Sequence, residues 1–177
     1  MFHVMLKKYQ YLVTIVFSLL SLATSQVIAS PFYAGIDVMR TSVSVDSTNF
    51  VLMLPKVKVG YMFTPQVMLE LQYAGSGDDD KDNSNLEIDN ISSAYLRLGS
   101  PASSQLRAYI VLGYTNTSLK LTGQNGINDN YDGFSGGLIL EYHVWTKSNF
   151  VTAEYNSFYN NDDVSISAFS VGYRYIF

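Results

Sequence analysis

The last ten residues, Ala168-Phe169-Ser170-Val171-Gly172-Tyr173-Arg174-Tyr175-Ile176-Phe177, alternate without a fault. Ala168, Ser170, Gly172, Arg174 and Ile176 fall on one side, and Phe169, Val171, Tyr173, Tyr175 and Phe177 on the other. A period of two belongs to a strand. Five bulky apolar or aromatic groups on one face need a large apolar surrounding. In a chain that opens with an export signal, the expected surrounding is lipid.

That signal occupies residues 1–29. Lys7 and Lys8 supply a positive start, residues 11–23 are apolar or small and free of charge, and Val27-Ile28-Ala29 places acceptable residues around a cleavage point after Ala29. A cut after Ser25 is the second candidate. A retained transmembrane helix is disfavoured because a bilayer span needs about 20 predominantly apolar residues. The remainder, 30–177, is one domain by length. It holds no other run long enough for a membrane helix, so a membrane reading requires a barrel. With 0 Cys, the chain has no disulfide, thiol or cysteine-ligated metal chemistry. Removing two lysines takes the net charge from −4 to −6, with no basic patch for nucleic acid.

Between turn signals the same alternation returns, predicting eight strands. The first covers residues 32–43, with Asp37 and Met39 inward, and the second 52–63, with Lys56 and Lys58 inward. After the tight turn Thr64-Pro65-Gln66, Leu69, Leu71 and Tyr73 face out while Met68, Glu70 and Gln72 face in. A fourth strand sets Leu96 and Leu98 against Tyr95 and Arg97; a fifth sets Leu106, Ile110, Leu112 and Tyr114 against Arg107, Tyr109 and Val111. The sixth sets Phe134, Leu138, Leu140 and Tyr142 against Ser135, Ile139, Glu141 and His143, and the seventh Val151 and Tyr155 against Thr152, Glu154 and Asn156. Segments 75–85, 117–130 and 159–164 read as polar loops. Three short turns then alternate with four longer links, the asymmetry of outer-membrane barrels with short periplasmic turns.

Alternation alone suits a soluble lipocalin-like barrel equally well. The second face separates the two. It carries glycines, serines, aromatics and about one charge per strand, the contents of a narrow lumen rather than of a solvated face. Aromatics also gather at strand ends, with Phe63, Tyr142, Trp145, Tyr175 and Phe177 below and Tyr73, Tyr114 and Tyr155 above, as two interfacial girdles require.

Gly133-Phe134-Ser135-Gly136-Gly137-Leu138-Ile139-Leu140-Glu141-Tyr142 and Val151-Thr152-Ala153-Glu154-Tyr155 resemble the outer-membrane β-barrel domain family that includes OmpA-type and OmpX-type proteins. The ending, with Tyr173, Tyr175 and Phe177, is similar to the C-terminal signal that this family presents to the barrel-assembly machinery. The resemblance covers essentially all of 30–177. It implies an all-β, eight-stranded antiparallel up-and-down transmembrane barrel in the outer membrane of a Gram-negative bacterium. Its expected partners are membrane lipid and lipopolysaccharide, with assembly machinery and periplasmic chaperones during biogenesis. OmpA continues into a peptidoglycan-binding domain; with Phe177 last, none is expected here.

Six inward charges, Glu70, Arg97, Arg107, Glu141, Glu154 and Arg174, fall near the periplasmic end by count from the turns. Unpaired charges are costly inside a narrow barrel, so they are expected to pair. They would form either a structural plug or a gate that swaps partners. Catalysis has little support. His143 is the single histidine after the signal, and Ser135 and Glu141 lie along the same strand, which does not give nucleophile, base and orienter geometry. Asp78, Asp80 and Asp82 alternate in a loop and form a weak metal candidate; Asn83 and Asp89 stand where a Ca²⁺ loop wants Gly and Glu. No cofactor is expected. The predicted role is structural or surface-interacting, with ligand contact through 75–85 and 117–130; a small porin-like channel gated by the lumen charges is the alternative.

Overall fold

Each alternating segment becomes a strand in the computed structural model, which describes residues 31–45, 48–81, 84–100, 105–122, 127–145, 147–161 and 164–177. The export signal lies outside the described residues. The strands are β1 (Phe32–Val45), β2 (Thr48–Thr64), β3 (Val67–Ala74), β4 (Gly77–Lys81), β5 (Ser84–Gly99), β6 (Leu106–Thr122), β7 (Ile127–His143), β8 (Asn149–Asn160) and β9 (Val164–Ile176). Every neighbouring pair is antiparallel, in the order β3-β2-β1-β9-β8-β7-β6-β5-β4, and pairing of β3 with β5 closes the ring. β3 and β4 follow one another along the same edge of β5, so they form one stave interrupted at Gly75 and Ser76. The result is a closed eight-stave barrel with one additional strand segment. Closure satisfies the backbone groups that an open sheet edge would leave bare in lipid.

The inside-outside parity follows the sequence on every stave. Ile36, Val57, Leu71, Leu96, Ile110, Leu138, Val151 and Val171 are exposed on the outer wall, while Asp37, Lys58, Gln72, Arg97, Val111, Ile139, Thr152 and Ser170 are buried. At the lower rim Phe32, Tyr61 and Phe63 meet edge to face, as do Tyr175 and Phe177. Trp145 adds an exposed ring on a turn whose backbone is left-handed there, at φ 55°. At the upper rim Tyr114 and Phe134 pair edge to face.

Two of the three segments expected as loops are instead largely strand, and the third is strand at its ends. Residues 75–85 contain β4 and the start of β5, most of 117–130 extends the β6–β7 hairpin, and 159–160 still belongs to β8. A bulge explains the first case. Leu86 and Ile88 are buried at even positions, whereas Ile91, Ser93 and Tyr95 are buried at odd ones, and the register shift between Ile88 and Asn90 joins the two phases. A second register shift falls between Ser157 and Tyr159 in β8, where burial stays on the even positions from Thr152 to Phe158. The alternation continues through the polar segments, with a change of parity in β5 and none in β6 or β8.

The lumen is filled in layers. Near the lower end Tyr33, Met62, Met68, Tyr95, Tyr109, Val111 and Ile139 cluster. The rings of Tyr33 and Tyr109 lie over Gly60 and Gly99, where a Cβ would collide with them; these glycines are required by close approach. From the level of the upper girdle outward, Met39, Val43, Phe50, Leu52, Leu54, Leu86, Ile88, Ile91, Leu119, Phe158 and Ile166 pack into a second, predominantly apolar core, with Thr41 and Thr117 also buried at this level.

Candidate functional site

The strands bring eight acidic and basic side chains into the lower part of the lumen, among the rings of the lower cluster. Asp37, Lys56, Lys58, Glu70, Arg97, Glu141, Glu154 and Arg174 are none more than 6% exposed. Four are acidic and four basic, so the set is neutral. Arg97 bridges two strands' carboxylates, with Nη1 donating to Glu70 Oε2 and Nη2 to Glu141 Oε1, both at 2.6 Å. Arg174 Nη2 donates to the other oxygen of Glu141, also at 2.6 Å. One step higher, Lys56 and Lys58 both reach Asp37, at 3.0 and 2.9 Å, and Glu154, at 3.1 and 3.7 Å.

Gln72 ties the two groups together. Its Nε2 donates to Glu70 at 2.8 Å and to Glu154 at 2.7 Å. Tyr33 donates to Glu70 at 2.7 Å, Asn156 to Glu154, Lys56 to Ser170 and Lys58 to Thr152. The guanidinium of Arg97 lies 4.5 Å from the Tyr109 ring centroid, and that of Arg174 4.4 Å from Phe150 and 4.8 Å from Tyr33. Such placement compensates part of each cation's lost hydration. Above the charges, Thr115 joins Ser93, Ser135 and Tyr95 in a cluster of hydroxyls 2.7 to 3.0 Å apart.

Of the six charges singled out from the sequence, Glu70, Arg97, Glu141, Glu154 and Arg174 belong to this network. Arg107 stands apart. It is the second residue of β6, half-buried at the lower mouth, and its guanidinium lies 5.3 Å from the Phe150 ring; among the described residues it forms no ion pair. Asp37, Lys56 and Lys58 take part instead. Parity had placed them inward without including them among the six, and the two lysines of β2 reach both Asp37 of β1 and Glu154 of β8. The six-residue set was already balanced at three charges of each sign, so neutrality gave no prompt to look for more.

Ser135 belongs to the hydroxyl cluster, whereas His143 lies against the Phe150 ring at 5.1 Å. Eight positions apart on β7, they are separated by roughly 27 Å of strand. Asp78 is exposed on β4, Asp80 is two positions on, and Asp82 lies outside the described residues. Among the described residues no three histidine or acidic side chains gather as metal ligands would. At the C-terminus, the Tyr173 hydroxyl donates to Asn149, Tyr175 is exposed on the outer wall, and the Phe177 amide donates to Phe32 at 3.1 Å.

A closed eight-stave barrel with an apolar outer wall, aromatic rims and a neutral buried charge network defines a transmembrane barrel of the outer-membrane type. The chain belongs to the outer membrane protein beta-barrel domain family, whose model matches residues 12–177. Solved structures agree in fold. Neisserial surface protein A aligns with a TM-score of 0.67 at 16% identity, covering 84% of this chain and 98% of that one. Ail, the attachment invasion locus protein of Yersinia pestis, aligns at 0.62 and 13%, covering 82% and 97%. The N-terminal barrel domain of Pseudomonas aeruginosa OprF aligns at 0.56 and 17%, covering 81% and 97%. No curated protein matches the chain in sequence. The protein is an outer-membrane β-barrel.

Proposed function

We propose that this barrel is a closed surface-interaction protein of the Gram-negative outer membrane, exported through the cleaved signal at residues 1–29 and without catalytic activity. The observation that carries the reading is the division of the molecule above the upper girdle. There the lumen is packed with apolar side chains while the same strands continue outward as a sheet of β4, β5, β6 and β7. A barrel sealed at that level offers no continuous water path, and its outward sheet offers polar surface. Two of the structural neighbours, Ail and Neisserial surface protein A, carry names that refer to attachment and to the cell surface; the reading for this chain is of that kind, in adhesion or envelope integrity. Lipopolysaccharide surrounds the upper wall, and Tyr173, Tyr175 and Phe177 serve recognition by the assembly machinery.

A bacterium lacking the chain should lose attachment or detergent resistance, and the intact chain should restore it. A version with the β4–β5 and β6–β7 hairpins shortened to the upper girdle should insert normally and restore less attachment. Equal restoration by the shortened version would contradict a surface role. The second reading, a small passive channel, draws on the buried charges themselves, since an inert plug could be built from apolar residues alone. It requires the apolar upper core to open as well.

A further inference from the structure

Basic groups gather around the ring of Phe150, the buried second residue of β8, at the lower end of the lumen. Register places them there. Phe150 pairs with Arg174 on β9 and with His143 on β7, and Arg107 of β6 pairs with Glu141, the inward residue of β7 before His143. The Arg174 guanidinium lies 4.4 Å from the Phe150 ring centroid and that of Arg107 5.3 Å, with the His143 ring at 5.1 Å. One ring therefore brings two guanidiniums into the same corner.

Hydrogen bonding in that corner is unbalanced. Arg174 is fully buried and its Nη2 donates to Glu141, but its Nη1 and Nε have no partner among the described residues. His143 Nε2 has none either. The neighbouring carboxylates are already engaged at both oxygens, Glu70 by Tyr33, Arg97 and Gln72, and Glu141 by Arg97 and Arg174. A buried donor left without an acceptor is costly, more so on a charged group.

Charge is unbalanced in the same direction. Arg97 and Arg174 are matched by Glu70 and Glu141, and Lys56 and Lys58 by Asp37 and Glu154. Arg107 is left over, half-buried at the opening. The lower turns, 64–66, 100–105 and 144–148, add Lys147 and contain no acidic residue. An unused donor and an unmatched positive charge at one opening call for the same missing component, a negative group that accepts hydrogen bonds.

We propose that the lower mouth is an anion site, in which a small oxyanion of phosphate or carboxylate type lodges beside Phe150 and accepts hydrogen bonds from Arg174 Nη1 and from the Arg107 guanidinium. Guanidinium groups suit such ligands because their planar donors match the oxygens of phosphate and carboxylate. Arg174 is the fixed half of the site, held by Glu141, and Arg107 the half that closes over the ligand from the opening. The ligand is either free on the periplasmic side or the phosphate of a lipid headgroup in the inner leaflet; the chemistry is shared. The site lies at the opposite end from the outward sheet and is independent of the surface role.

The test is an NMR titration of the folded barrel in uncharged maltoside micelles, which carry no phosphate, following the guanidinium Nε–Hε signals. Inorganic phosphate and, separately, acetate should shift the signals of Arg174 and Arg107 saturably. Arg107→Gln, which strands no carboxylate, should still fold and should weaken phosphate binding at least tenfold, while Lys120→Gln at the other end should leave it unchanged. A second arm replaces inorganic phosphate with short-chain phosphatidylglycerol in the micelle. Shifts of the same two signals by free phosphate alone support the site with a soluble ligand, and shifts by the lipid that compete with free phosphate support it with a headgroup. Absence of a saturable shift with every anion would mean that water meets these donors and would overturn the proposal. Equal phosphate affinity in Arg107→Gln would also overturn it, by placing the anion elsewhere.

Discussion

The lower half of the lumen is closed by charges and the upper half by hydrocarbon, although one set of strands lines both. In the lower half, Arg97, Arg174, Lys56 and Lys58 face four carboxylates, and each ion meets an opposite charge within 3.1 Å. In the upper half, Phe50, Leu52, Leu54, Ile88 and Phe158 fill the space with no ion pair. The two closures differ in kind. A buried ion network owes its stability to mutual compensation, so losing one member leaves a charge stranded. An apolar core loses in proportion to the volume removed.

The sharpest way to break this comparison is to remove Arg97, which serves two carboxylates. Arg97→Ala should destabilise the folded barrel by about 3–5 kcal/mol, the range for a buried pair deprived of one partner, read from the denaturant midpoint in detergent or lipid. A loss below about 1 kcal/mol would mean that water solvates Glu70 and Glu141 separately, as at an exposed pair.

On the apolar side, Leu52→Ala should cost about 2–4 kcal/mol, with the charge network intact. The same denaturant titration measures it. If Leu52→Ala were silent while Arg97→Ala was severe, the upper core would be loosely filled and the layered account would fail in that half.

The outer wall supplies a third comparison. Ile110 faces lipid and its neighbour Val111 faces the lumen. Ile110→Arg, at mid-membrane, should cost about 2–4 kcal/mol, measured by folding equilibrium in lipid vesicles. A harmless Ile110→Arg would show that this position is not in the hydrocarbon. The smallest effect is expected at the exposed pair Lys120–Glu87, 3.9 Å apart on the outward sheet. Glu87→Gln should change stability by less than about 1 kcal/mol, and a larger loss in the same titration would reveal a structural role for that sheet.

Much of this was legible in the residues because parity is robust: Phe169 against Ser170, Ile110 against Val111 and Leu96 against Arg97 each fall on the side that alternation assigns. Length was less legible. The phase change between Ile88 and Ile91 conceals the continuation of β5 beneath polar outward residues, so a strand resembled a loop. Partner choice among the charges was the least legible. Contacts such as Lys58 with Glu154 join staves far apart in sequence across the lumen, and their meeting depends on strand tilt and stagger that no single stave encodes.

Single-channel recording of the folded barrel in planar bilayers tests most directly the claim that two independent closures seal the lumen. The account predicts current at the leak level for the intact chain and for Arg97→Ala, because the apolar upper core remains shut when the charges are disturbed. Discrete open steps in the intact chain, enlarged by Arg97→Ala, would contradict it and make the charge network a gate.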